Sequence, residues 1–348
     1  MNFECDALII GGGPSGLITG SLISKKGFRT IVLEEHNEIG KPEQCTGLVS
    51  WRIGSVPQNL VLNTVKTARF RLGKRFFEVS SPKRMIVMDR MGYDRYLAEK
   101  AIENLVEIRT GERAMGLDGD RIVTNRGNVY SSRVLIGADG PNSITAKLVG
   151  LKQPENILFT LQCVAKGFFE KDVVELRFEP EFSKEGFAWI VPLSSNKARV
   201  GLATKDNPLP RMRILLKRLN LEATGKPIGD SVRFGVMNKT AAPKTVLVGD
   251  AACQVKPFSF GGLVYGRICS EIAGEACVKA LEEGFFEEGF LAEVYDSKWK
   301  KTIGRALRKG LWMRGFFNLI RRKPFFLTLI KTTGLNLLAG KVLDPDFL

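Results

Sequence analysis

The sequence predicts an α/β fold: a parallel sheet assembled from separate stretches of chain, an antiparallel sheet inserted between them, and a basic helical tail. Three observations predict it. Continuous apolar runs at Ala7–Ile10, Val134–Gly137 and Val246–Gly249 each lead into a glycine-containing turn, as strands covered on both faces do. Alternating β-prone segments occupy residues 153–238 and parts of 50–82, the period-2 pattern of an antiparallel sheet. Helical spacing and cations dominate after Gly289.

Taken in order, residues 6–34 read strand, glycine loop, helix, strand. Leu17, Ile18, Leu22 and Ile23 form a helical stripe that Gly27 ends, and Thr30–Leu33 is a second buried strand closing on Glu34 and Glu35. Arg69–Leu72 and Arg75–Val79 alternate, broken by Gly73 and Pro82; Met85–Met88 is a further strand and Tyr93–Leu105 a helix. Arg109–Leu117 and Arg121–Thr124 read as a small antiparallel ribbon. The inserted sheet carries one helix at Pro210–Leu219, and a long helix follows at Gly261–Glu283. The nucleotide-binding domain is therefore discontinuous, over residues 1–50, 83–150 and 240–289. A substrate sheet takes 51–82 and 151–239, and a basic helical region 290–348.

Composition narrows the function classes. The chain has 348 residues, 44% of them hydrophobic, enough for a substantial core. Six cysteines show no CxxC pair and no zinc spacing, and His36 is the single histidine, which excludes a His-based metal cluster. Met1–Asp6 lacks the basic flank and apolar run of a signal peptide, so a cytoplasmic protein is expected. The net charge of +15 is concentrated: twelve Lys or Arg and no acid lie between Ser297 and Leu343. Trp299, Leu307, Leu311, Trp312, Phe316, Phe317, Ile320, Phe325, Phe326 and Leu329 are interleaved with those cations. That pattern suits a helix lying on an anionic membrane surface, or a solvated basic face packed on the core. With no recognised nucleic-acid motif, nucleic acid is not an expected partner. Peripheral attachment to the inner face of the cell membrane is the corresponding location.

The first turn, Gly11-Gly12-Gly13-Pro14-Ser15-Gly16, fits GxGxxG between a strand and a helix, a Rossmann-like feature. Gly11 permits the tight turn, Gly13 lets a pyrophosphate approach the backbone, and Gly16 allows close helix–strand packing. The helix N-terminus offers free N–H groups to phosphate. Glu34 stands where a carboxylate accepts ribose hydroxyls. Two later turns, Gly137-Ala138-Asp139-Gly140 and Gly249-Asp250-Ala251-Ala252, each follow an apolar strand and carry an acid.

This set of loops resembles the flavoprotein superfamily of p-hydroxybenzoate hydroxylase. The resemblance implies FAD as cofactor, with Asp250 on the ribityl chain. Pro257 and Phe260-Gly261-Gly262-Leu263 match a superfamily segment whose helix N-terminus faces the flavin pyrimidine, where a dipole stabilises negative charge. Within it the chain resembles the geranylgeranyl reductase family, through Lys41-Pro42-Glu43-Gln44-Cys45-Thr46-Gly47-Leu48, Met88-Asp89-Arg90 with Asp94 and Leu97, and Val255-Lys256-Pro257. That resemblance implies a reductase of isoprenoid chains on membrane lipids. It would place Ser15, Glu34, Cys45, Thr46, Gly47, Arg90, Ala114, Asp250, Gly262 and Leu263 along the FAD, with Asp139 in the middle loop. The chain departs from the family at Phe187-Ala188-Trp189-Ile190-Val191-Pro192, where Phe187 replaces a tyrosine.

An isolated alkene is a poor electrophile, so its reduction needs hydride, a proton donor and a dry cavity. Cys45 is the expected donor, since a thiol is mostly protonated at neutral pH; it could equally pack its loop. Arg90 either clamps the cofactor or pairs with Asp94. Phe187 and Trp189 either wall an apolar substrate cavity or fill the sheet core. No second dinucleotide loop is present, so ferredoxin, another reductase or transiently bound NAD(P)H is the expected electron donor to the enzyme. Two other functions fit the same residues: an aromatic hydroxylase or halogenase, and a lipid-binding or electron-transfer flavoprotein without turnover.

Overall fold

The structure, a computed structural model, describes residues 1–322. Its elements in chain order are β1 (Asn2–Ile10), α1 (Pro14–Ser24), β2 (Thr30–Glu34), β3 (Leu48–Val49), β4 (Val61–Leu72), β5 (Arg75–Met88), α2 (Arg90–Glu103) and β6 (Glu107–Thr110). There follow β7 (Ala114–Asp118), β8 (Arg121–Thr124), β9 (Val129–Gly137), α3 (Ile144–Leu148), β10 (Ile157–Lys166), β11 (Val173–Arg177), β12 (Ala188–Pro192) and β13 (Lys197–Thr204). The chain closes with α4 (Pro208–Arg218), β14 (Glu222–Arg233), β15 (Ala241–Ala242), β16 (Thr245–Leu247), α5 (Leu263–Glu283), α6 (Glu288–Leu291) and α7 (Ser297–Arg322), a short π-helical turn at Ala292–Asp296 preceding α7.

Two sheets divide these strands. The first runs β15-β16-β9-β1-β2-β6, with parallel pairing from β16 through β6. Both faces of its centre are covered, which is why Ala7, Leu8, Ile9 and Ile136 are all apolar and all inaccessible. On one face α1 packs against α2 and α5, and Leu17, Ile23, Ala273 and Cys277 fill the seam. On the other, Leu8, Ile10, Ile31 and Leu33 meet the β7–β8 ribbon through Ala114 and Ile122. The second sheet runs β14-β10-β13-β12-β11-β4-β5-β3 and is antiparallel except where β11 meets β4. Helix α4 covers one of its faces with Met212 and Leu215; Asn207 caps that helix by accepting the Leu209 N–H.

Three sequence expectations are corrected. Arg109–Leu117 is not one strand: β6 joins the parallel sheet beside β2, and the ribbon starts only at Ala114. The turn at 111–113 separates them, because Gly111 sits at φ +66° and Glu112 turns inward to accept from Thr124 and Asn128. The tail, too, is less of a surface helix than its cations suggest. Trp299 and Leu307 are fully buried, and the Trp299 indole donates to Thr240 Oγ1 at 2.8 Å. Among the large apolar side chains of α7, exposure begins at Trp312, which stacks on Phe316. Phe325, Phe326 and Leu329 lie outside the described residues. The boundary expected at 82/83 falls inside β5, which continues in the second sheet to Met88.

Candidate functional site

The three turns of the first sheet meet at its carboxyl edge because β1, β9 and β16 are parallel neighbours. Gly11 has φ +107°, and a β-carbon there would lie 2.3 Å from the Ala138 carbonyl oxygen; only glycine lets the first two turns approach so closely. Gly13 faces open space at the start of α1, where a phosphate has room. Glu34 accepts the Gly12 N–H at 2.8 Å and the His36 N–H at 2.9 Å, and its Oε1 lies 2.6 Å from His36 Nδ1. Ser15 points its hydroxyl at Gly249 and Gly266, joining the first turn to the third. Ala114 is buried at the start of β7 beside Ile10 and Leu33.

The two acid turns diverge. Asp139 uses both oxygens within its own loop: Oδ1 accepts from Ser143 Oγ at 2.6 Å, and Oδ2 from Thr145 N and Oγ1 at 2.9 and 3.0 Å. It shapes the loop and starts α3. No described residue hydrogen-bonds the Asp250 carboxylate, whose Oδ1 abuts Gly262 at the N-terminus of α5. Burial pushes Asp250 up to about 6, the Asp230 carboxylate adds to the push, and Arg90 opposes it. Asp230, on β14, is itself raised by burial against the stabilising Ser231 N–H.

Arg90 forms a bidentate pair with Asp94, Nε to Oδ1 at 2.7 Å and Nη2 to Oδ2 at 3.0 Å, and lies near enough to the Cys45 sulfur to interact with it electrostatically. Burial alone would depress the guanidinium; Asp94 and Cys45 outweigh it and hold Arg90 above its usual range. The expected Asp94 pairing is therefore present, but on a buried helix face rather than at the surface.

The Cys45-Thr46-Gly47 turn is held from the second sheet. Gly47 donates its N–H to Cys45 Sγ at 3.4 Å. Arg199, on β13, donates to the carbonyls of Thr46 and Met88 at 2.8 and 2.9 Å and ion-pairs with Glu43. Gln162, on β10, donates through Nε2 to the carbonyls of Glu43 and Cys45 at 3.2 and 3.0 Å. Sequence reading missed Arg199, Gln162 and Asp230. For Arg199 and Gln162 the only signal was a polar side chain inside a mostly apolar strand; Asp230, in the polar strand β14, gave none.

Aromatic rings stand beside the Gly261-Gly262 turn. Phe260 is in the left-handed region at φ +62°, a conformation costing about 1–2 kcal/mol for a residue with a β-carbon. Its ring stacks on Phe187 with centroids 5.2 Å apart; Phe187 meets Trp189 edge-on at 6.1 Å and Phe178 at 5.5 Å. Phe178, Phe187 and Phe258 line a small cleft with Gly186, Glu185, Arg314 and Asn318. Pro257 is packed by α7 at Gly310. Among the predicted residues, Ser15, Cys45, Arg90, Asp250 and Gly262 are thus joined through shared neighbours, and Phe187 lines the adjoining cavity.

These residues fit an FAD. Gly13 leaves room for the pyrophosphate, and a half-buried carboxylate without a protein donor, Asp250, suits a polyol hydroxyl.

Comparison with known proteins agrees. The FAD binding domain family matches residues 4–207. An uncharacterised protein of Methanocaldococcus jannaschii is 31% identical, the match covering 90% of this chain and 84% of the relative. The digeranylgeranylglycerophospholipid reductase of Methanosarcina acetivorans is 28% identical over 90% of this chain and 84% of its own. Among solved structures, a geranylgeranyl bacteriochlorophyll reductase-like protein of Thermoplasma acidophilum superposes with a TM-score of 0.84 at 21% identity, covering 90% of this chain and 88% of its own. The flavin-dependent brominase Bmp2 superposes with 0.75 at 16%, covering 98% and 93%. At such identities the superpositions speak for the fold.

Proposed function

The chain belongs to the FAD binding domain family and is an FAD-dependent oxidoreductase, and from that premise we propose that it saturates isoprenoid double bonds, in the geranylgeranyl chains of membrane lipids or a related polyprenyl substrate. The aromatic wall carries this reading: Phe187 and Phe260 stack beside the Gly261-Gly262 turn, and Phe178 and Phe258 join Phe187 along the neighbouring cleft. The names of the reductase relatives support it.

When bound and reduced, FAD supplies hydride at N5. The chain's own residues do the rest. Phe178, Phe187 and Phe258 exclude water and hold the hydrocarbon against the site. The N-terminus of α5 would present its positive dipole end to the cofactor, and Asp250 would accept from a cofactor hydroxyl. Cys45 Sγ delivers a proton to the alkene carbon that does not take the hydride, so two electrons and two hydrogens add across one double bond. Arg90 and the Gly47 N–H orient that sulfur. Electrons come from a separate donor, ferredoxin or NAD(P)H.

Replacing Cys45 by serine is expected to slow product formation by about 100-fold while leaving flavin reduction near its original rate. Equal slowing of both half-reactions would remove the proton-donor role. In an oxygen electrode, consumption coupled to a hydroxylated or halogenated product would replace the reductase by an oxygen-activating enzyme.

No described helix is long and apolar enough to cross a membrane. The exposed Trp312, Phe316 and Leu319, with Arg305, Arg308 and Lys309 exposed one to three turns earlier, suit peripheral contact with anionic lipid. Sedimentation with anionic vesicles at low salt is the expected result; a protein left in the supernatant there would exclude that contact.

A further inference from the structure

One row of the second sheet carries two polar atoms that the aromatic wall does not explain. Gln162 on β10 pairs with Gly201 on β13, and Gly201 pairs with Trp189 on β12. Residues directly opposite in antiparallel strands share a face, so all three stand on one side of the sheet. It is also the side of Arg199, two residues from Gly201, and so faces the Cys45 turn. Gly201 has no side chain, and the Trp189 indole lies in the space that leaves. A β-carbon on Gly201 would be 2.4 Å from Cζ2, 2.5 Å from Cε2 and 2.7 Å from Nε1. The N–H edge of the indole is therefore carried over the middle strand, whose far neighbour bears Gln162.

Gln162 is only 7% exposed, and its amide orientation is set by its partners: Nε2 donates to two carbonyls, which leaves Oε1 as an acceptor. That Oε1 is buried with no hydrogen-bond partner, and so is Trp189 Nε1. One is an acceptor and the other a donor. They stand in one row and do not bond to each other. Their neighbours on this face are Phe187, stacked on Phe260, and the Gly201 backbone. The arrangement asks for a group that accepts one hydrogen bond and donates one, in a wall otherwise apolar.

We propose that Gln162 and Trp189 form a two-point site for a single hydroxyl-type oxygen, which accepts from Trp189 Nε1 and donates to Gln162 Oε1. The oxygen belongs to a resident water or to an alcohol group of a bound ligand. Gln162 thereby ties that oxygen to the Cys45 carbonyl, so that one side chain sets both the turn and the ligand's polar end. The site concerns what the wall holds and stands whether or not the ligand is reduced.

The test uses the FAD-loaded protein and needs no turnover. High-resolution crystal structures, alone and with geranylgeraniol, are expected to show an ordered oxygen within hydrogen-bonding distance of both atoms. Equilibrium binding then identifies its source, comparing geranylgeraniol with its methyl ether, which accepts but cannot donate. If the ligand supplies the oxygen, the alcohol binds about tenfold more tightly than the ether, and Gln162→Leu abolishes the difference. If water supplies it, the two bind alike and the oxygen is present in both crystals. Trp189→Phe, which removes the donor and keeps an aromatic ring, is expected to empty the position in either case. The proposal is overturned if neither crystal holds an oxygen there, if the two side chains bond directly, or if the flavin itself occupies both atoms.

Discussion

The Asp139 and Asp250 turns look alike in sequence, each an apolar strand running into glycine and an acid, yet the folded protein uses them in opposite ways. Asp139 is followed by Ser143 and Thr145, whose hydroxyls and backbone N–H consume its carboxylate. Asp250 is followed by Ala251 and Ala252, which have nothing to donate from their side chains. Its carboxylate is left half-buried against the start of α5, raised to about 6 and without a protein donor. A carboxylate that is satisfied internally stabilises a loop; one left unsatisfied is held ready for a ligand. We propose that the first kind serves the scaffold and the second the cofactor site.

Substitutions at the two acids separate these uses. Asp139→Ala removes three charge-assisted hydrogen bonds and is expected to destabilise the protein by about 3 kcal/mol, with FAD affinity of the folded protein nearly unchanged. Denaturant melts and flavin titration measure the two quantities; a large loss of affinity without a loss of stability would reverse the assignment. Asp250→Ala is expected to weaken FAD binding by about 10- to 100-fold and to leave the apoprotein's melting midpoint unchanged or higher.

The smallest effect is a pH dependence of the apoprotein. Folded Asp250 holds its proton up to about 6, whereas an unfolded aspartate releases it near 3.9, so the folded state binds more protons between those values. Its contribution is most favourable below about pH 4 and is lost as pH rises through about 6, a change of about 1–3 kcal/mol. Asp250→Asn is expected to flatten that segment of the stability profile relative to the unmodified chain, and identical profiles would contradict the burial argument.

The difference between the turns was in part legible. The GxGxxG loop and the acid turns can be read from the chain because backbone geometry and strand context dictate them. The Ser143 and Thr145 donors stand four and six residues after Asp139, close enough to have been read as a cap. The grip on Cys45 was not legible. Arg199 and Gln162 are more than a hundred residues from the turn they hold, and only the register of β10, β13 and β12 brings them there. Trp299 misled for a related reason: local charge suggested a surface, while its indole finds Thr240 and a buried pocket across the molecule.

The central claim is that electrons leave the flavin for an alkene rather than for oxygen. The direct measurement reduces the flavoprotein anaerobically, adds a digeranylgeranyl lipid, and follows flavin absorbance together with product mass. Reoxidation without oxygen, with about 2 Da gained for each double bond saturated, is the predicted result. A flavin that stays reduced until oxygen is admitted, over a lipid of unchanged mass, would contradict it.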